Sequence, residues 1–173
     1  MAKTSNLREF QEAILLKLKE ATAHGAVVST SRLGVTVGSK NILINLKDVS
    51  EVLPMPPLQE VPLTQPWFLG VANVRGNLYN ITDLAQLIGM PPTQKSANNR
   101  IMLLNSEITT QAALVVGSLV GLRSVDTMQA KTIANEGDLF SKQAYIDADK
   151  NEWFELDIEA LVLDKEFIQP TLN

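Results

Sequence analysis

From Ser31 onward the apolar residues come in short runs, each closed within about four to eight positions by glycine, proline, asparagine or aspartate. RLGVTV, NILINL, VSEVLP, WFLGVANV, NLYNI, RIMLLN, QAALVVG, LVGLRSV, AYIDA and WFELD follow one another with turn chemistry between them. Strands of a parallel α/β sheet would alternate with long helical patterns, and none intervenes here. A mainly β domain of small barrels or a sandwich is what such a succession can build.

The turns give local pairings. Gly38-Ser39 with Lys40 joins RLGVTV to NILINL, and Arg75-Gly76 joins WFLGVANV to NLYNI, each as a hairpin. RIMLLN and QAALVVG pair across SEIT, and AYIDA turns back into WFELD. Five prolines from Pro54 to Pro66 cannot lie in a sheet interior, so that stretch is a rigid connector or an edge. The Pro54 and Pro57 spacing also matches a ligand for proline-reading domains, a weaker reading than the connector.

Helices are expected mainly at the two ends. Leu7, Phe10, Ile14, Leu18 and Ala21 recur at helical spacing, with Asn6 and Glu9 as a capping pair and His24-Gly25 at the end. Asp83 and Gln86 open a short helix, LAQLI, and IEALVLDKEFI reads as a last amphipathic helix. The expected organisation is a helical extension over 1–29, one β domain over 30–168, and a tail over 169–173.

Composition narrows the function. A net charge of -4 argues against duplex nucleic acid. With no cysteine there is no disulfide, thiolate metal site or cysteine nucleophile. The one histidine, His24, excludes two-histidine metal motifs and reads as a residue near a helix C-terminus. No apolar run reaches the roughly 18 residues of a membrane span. Arg8 and Glu9 stand where an export signal would be apolar, so a cytoplasmic location is expected.

The turn DADKNEW places Asp147, Asp149 and Asn151 at positions 1, 3 and 5 of a calcium loop. Position 6 should then be glycine and position 12 glutamate, but they are Glu152 and Ile158, so a solvated hairpin turn is the better reading. Neither a phosphate-binding glycine loop nor a G-x-S-x-G elbow is present. Carboxylates such as Asp48, Glu51, Asp83 and Asp126 occur without a pattern that calls for acid–base catalysis, so no enzyme and no cofactor are expected.

Arg75 is the one full charge between Pro66 and Ile81. Two readings are open: an exposed turn tolerating any polar residue, or a planar anchor presented to a partner from an apolar platform.

WFLGVANVRGNLYNITDL, preceded by VSEVLP and PMPPLQEVP, resembles the signature of CheW-like domains: an apolar strand with glycine, then Asn-x-Arg-Gly, then a second strand into Asp-Leu. The resemblance covers roughly residues 30 to 168. It implies two intertwined five-stranded barrels of the Src-homology-3 type and a non-catalytic adaptor. Such an adaptor joins the cytoplasmic tip of a chemoreceptor to the regulatory domain of a CheA-type histidine kinase, recruited to membrane-bound receptor arrays without inserting in the membrane. Val-Ala-Asn-Val-Arg-Gly after a tryptophan, with the amphipathic extension, is most similar to the branch that serves chemotaxis-like control of type IV pili and twitching motility. An adaptor of flagellar chemotaxis is the alternative within the family.

Carried over by motif, the implied protein-binding residues are Val49, Glu51 and Val52 of the Val-x-Glu-Val element, and Asn73, Arg75 and Gly76 of the Asn-x-Arg-Gly element. A helical receptor tip lays an apolar stripe into a groove with polar anchors at its rim. Val49, Val52, Val71 and Val74 are the candidate floor, Glu51 and Arg75 the candidate anchors. Two positions depart from the family pattern: Asn80 where proline is usual, and Gly117 where an aspartate commonly follows the valine-rich strand. The resemblance therefore carries no residue map of the kinase-facing side. The N-terminal helix either packs on its own barrel or docks another component. Outside the family, a barrel binding single-stranded nucleic acid would need stacked aromatics along a basic groove, which the acidic, aromatic-poor composition does not favour.

Overall fold

A computed structural model describes residues 30–132 and 141–172. The expected N-terminal helix, with Asn6, Glu9 and His24, lies outside the described residues.

In chain order the described elements are β1 (Ser31–Val37), β2 (Lys40–Asn45), β3 (Val49–Pro54), β4 (Phe68–Val74), β5 (Asn77–Asp83), α1 (Leu84–Leu87), β6 (Arg100–Leu104), β7 (Ala112–Val116), β8 (Ser118–Ser124), β9 (Gln129–Lys131), β10 (Ser141–Ile146), β11 (Glu152–Leu156), α2 (Ile158–Leu163) and α3 (Lys165–Ile168). They form two sheets, ordered β8-β1-β2-β11-β10-β9 and β3-β6-β7-β5-β4. The mainly β architecture expected from sequence is observed, with one sheet enlarged to six strands by β9. Residues 31–45 and 118–156 build the first sheet and the stretch between them builds the second, which is what intertwines them. The expected hairpins are all present. Two parallel pairings, β2 with β11 and β5 with β7, tie sequence-distant parts together.

The apolar runs RIMLL and AALVV are buried on both faces, and period-2 alternation divides them. Ile101, Leu103, Ala113 and Val115 point into one core with Leu53, Ala72 and Ile81, so all five strands of the second sheet line it. Met102, Leu104, Leu114 and Val116 point the other way, into the larger core with Val35, Ile42 and Ile44 of the first sheet and Ile158 and Leu161 of α2. The edge strands β3 and β4 both contribute to the smaller core, so the second sheet is rolled on itself.

The proline-rich connector is not merely a spacer. Gln59 forms a two-hydrogen-bond bridge to Val71 at 2.8 and 2.9 Å, covering the outer edge of β4. That approach requires Gly70: a Cβ there would lie 2.2 Å from the Gln59 carbonyl oxygen, and its φ is +133°. Gly70→Ala is expected to destabilise the fold by about 2–3 kcal/mol, read as a lower urea midpoint with unchanged slope.

Both departures from the family pattern have structural roles. The Asn80 N–H donates to the Gln111 carbonyl at 2.8 Å, a bond proline could not make, at the start of the parallel β5–β7 pairing. Gly117 is the step from β7 to β8, and a Cβ there would meet Thr36 Oγ1 at 3.1 Å. The last amphipathic helix is two short ones. Asp164 between them is extended, and its carboxylate caps the second by accepting the Glu166 N–H at 2.9 Å.

Candidate docking site

The β4–β5 hairpin turns on two residues, with Val74 opposite Asn77. Arg75 has φ +52° and Gly76 φ +87°, the pattern of a type I′ turn. The Asn73 carboxamide oxygen accepts the Gly76 N–H at 2.9 Å and fixes the turn. Such turns favour asparagine, aspartate or glycine at both central positions, and left-handed backbone costs another residue about 1–2 kcal/mol. The backbone therefore does not explain an arginine here; its side chain must.

That side chain makes an ion pair from Nη1 to Oε1 of Glu51, which lies on β3 at the opposite edge of the sheet. The pair spans the seam where the sheet closes. Arg75 is 58% exposed against 31% for Glu51, so solvent screens the pair to about 0–1 kcal/mol. Glu51 Oε2 is buried with no hydrogen-bond partner among the described residues. The charge offered at the tip is thus the guanidinium.

The four valines do not form one floor. Val49 is fully buried in the larger core, and Val52 packs against the same core, because a register shift at Ser50 breaks the alternation of β3. Val74 packs at the rim of the smaller core, while Val71 lies half-buried on the opposite face of β4 beside the Gln59 bridge. Glu51, Asn73, Arg75 and Gly76 are brought together; Val49 belongs to the larger core. Sequence reasoning missed Leu78, an exposed leucine directly opposite Asn73. Counting back by twos from buried Ile81 puts Tyr79 inward and Leu78 outward, and that was the available signal.

The acidic turn at 147–151 is a hydrogen-bonded turn centred on Asp147. Asp147 accepts the N–H groups of Asp149 and Asn151 at 2.9 and 2.8 Å, the Asn151 carboxamide at 3.3 Å and the Trp153 indole N–H at 2.9 Å. These bonds, the indole's above all, hold its carboxyl below the ordinary aspartate value of 3.8. A depressed folded-state value stabilises above the unfolded value, and the benefit is lost as pH falls through the folded one. The difference in melting temperature between wild type and Asp147→Asn is therefore expected to shrink as pH drops below 3.8. Among the described residues no group of three metal-ligating side chains exists. No described helix is long and apolar enough to cross a membrane.

A CheW-like domain model matches residues 32–166. The chain belongs to the CheW-like domain family. Protein PilI of Pseudomonas aeruginosa is 32% identical over 104 residues, which is 59% of this chain. The aligned stretch spans 58% of PilI, less than two thirds of that relative. Among solved structures, the scaffolding protein TtCheW of Thermoanaerobacter tengcongensis superposes with a TM-score of 0.66 at 18% identity, over 79% of this chain and 94% of TtCheW. At that identity the likeness concerns the fold, and it agrees with the two-sheet architecture of this CheW-like domain.

Proposed function

We propose that this chain is a non-catalytic adaptor that couples the cytoplasmic tip of a methyl-accepting chemoreceptor to the regulatory domain of a CheA-type histidine kinase, in the chemotaxis-like system that controls type IV pili and twitching motility. Its place of work is the cytoplasmic face of receptor arrays. The observation that carries the reading is an arginine kept in a left-handed turn position, exposed at the barrel seam and steadied by Glu51. Family membership and the identity to PilI support the system assigned. Asn73 and Gly76 set the turn, Arg75 and Glu51 anchor the partner, and Leu78 with Val71, on the outward face of the hairpin, supplies the apolar contact. Each contact is weak alone and gains strength through repetition in an array.

The test separates backbone from side chain. Arg75→Asn suits the turn better and is expected to raise stability by about 0.5–1 kcal/mol. In receptor-containing membranes with the kinase, the same variant and Arg75→Glu are expected to lower adaptor-dependent kinase phosphorylation at least about tenfold. Phosphorylation unchanged by either substitution would overturn the role given to Arg75.

A further inference from the structure

The smaller core is open at one end. Where β4 begins and β5 and β7 end, a cleft of about 580 Å³ separates the proline-rich connector from the loop leading into β6. Met55, Leu58, Leu69 and Val115 give it an apolar lining that continues into the smaller core. A concave, mainly apolar space of roughly 300–1,000 Å³ with a few polar groups is the form of a small-molecule site.

Both walls are held in place by the protein itself. The connector is bonded to β4 through Gln59 and Val71, and further along it Thr64 bridges Thr171. On the other side the Thr93 N–H and hydroxyl donate to Asp83 at 2.9 and 2.5 Å. The Asn99 carboxamide donates to the Gln94 carbonyl at 2.9 Å. Walls fixed in this way leave little protein ordering to be done when a ligand binds.

The polar groups at the cleft are few and of distinct kinds. Gln86 donates from Nε2 to Asp83 at 3.0 Å, and its Oε1 remains an acceptor among the described residues. Ser96 Oγ accepts the Asn98 N–H at 3.1 Å, and its hydroxyl proton remains a donor. One acceptor and one donor are what a peptide group pairs with. Glu60 stands on the connector and Lys95 on the loop, so the two walls carry opposite charges. Both are exposed, and neither forms an ion pair among the described residues. A singly charged ligand would meet one like charge here, whereas a zwitterion meets an opposite charge on each wall.

We propose that this cleft binds a small zwitterion with an apolar body, of the class of a dipeptide with leucine-like side chains. Lys95 pairs with its carboxylate and Glu60 with its ammonium group. Met55, Leu58, Leu69 and Val115 receive its side chains, and Gln86 and Ser96 its peptide group. The site is independent of the adaptor reading, because Leu69 is at the start of β4 and Arg75 follows its end.

The test titrates dileucine with both ends free into the full chain by calorimetry. Saturable one-to-one binding with Kd below about 1 mM is expected. N-acetylated dileucine and dileucine amide, each lacking one charge, should bind at least about tenfold more weakly. Lys95→Glu should weaken dileucine by a similar factor at an unchanged melting temperature, since the side chain is exposed. Lys95→Glu combined with Glu60→Lys should recover binding, because a zwitterion can lie the other way round. Arg75→Glu should leave the affinity unchanged. No saturable binding, equal binding of the capped forms, or indifference to Lys95→Glu would overturn the proposal. So would full binding of the N-acetylated form with loss of the amide, which would give the cleft to the C-terminus of a protein.

Discussion

Arg32→Ala is expected to destabilise the protein by about 3–4 kcal/mol, because it strands a buried charge. Arg32 on β1 pairs through Nε with Glu155 on β11, across the intervening strand β2, and the side chains are only 12% and 8% exposed. Coulomb attraction in that setting offsets the desolvation of both charges. Removing the cation leaves Glu155 buried and charged with its compensation lost. Tyr145 shares the neighbourhood: burial first, then the Glu155 charge, pushes its phenol above the usual value, while Arg32 opposes them. Loss of Arg32 should raise it further, visible as a displaced alkaline phenol titration. The penalty comes from the orphaned carboxylate rather than from lost attraction, so Arg32→Met combined with Glu155→Leu should recover most of the stability in urea denaturation.

Asp83→Ala is expected to cost about 3 kcal/mol, for a different reason. The carboxylate is almost wholly buried at the end of β5. It accepts the Ala85 N–H at 3.3 Å as the cap of α1, the Gln86 carboxamide at 3.0 Å, and the Thr93 N–H at 2.9 Å. One side chain therefore joins the short helix to the loop leading into β6. It also faces a cleft of about 580 Å³ with Leu69, Val115 and Lys95, but its oxygens are occupied by these donors. A role in acid–base chemistry is not what that arrangement serves. Asp83→Asn, which keeps an acceptor, should lose less than half as much, by the same urea measurement.

What was legible in the sequence is what local chemistry determines. Gly38-Ser39 and Arg75-Gly76 announce hairpins because two-residue loops need left-handed backbone, and Asp83 announces a cap because its carboxylate reaches the backbone N–H two residues on. The parallel pairings were not legible, since each joins strands far apart in sequence with no turn to mark them. β9 was missed because Gln129, Ala130 and Lys131 are exposed and carry no apolar alternation. The end helix read as one because its apolar spacing continues through Asp164, whose capping geometry breaks it.

For the candidate site, the Asn-x-Arg-Gly motif located the turn at Arg75 and Gly76. It did not show that Glu51 sits across the barrel seam from Arg75, which depends on how the sheet closes. Nor did it show that the register shift at Ser50 turns Val49 and Val52 toward the same core.

The most direct test of the adaptor account is a calorimetric titration of the full chain against the regulatory domain of its cognate CheA-type kinase, with a soluble receptor-tip fragment titrated in parallel. The account predicts saturable binding to both partners, with at least one isotherm weakened about tenfold or more by Arg75→Glu at an unchanged melting temperature. Absence of binding to either folded partner would contradict it, and Arg75 would then be an exposed turn residue on a CheW-like fold with some other task.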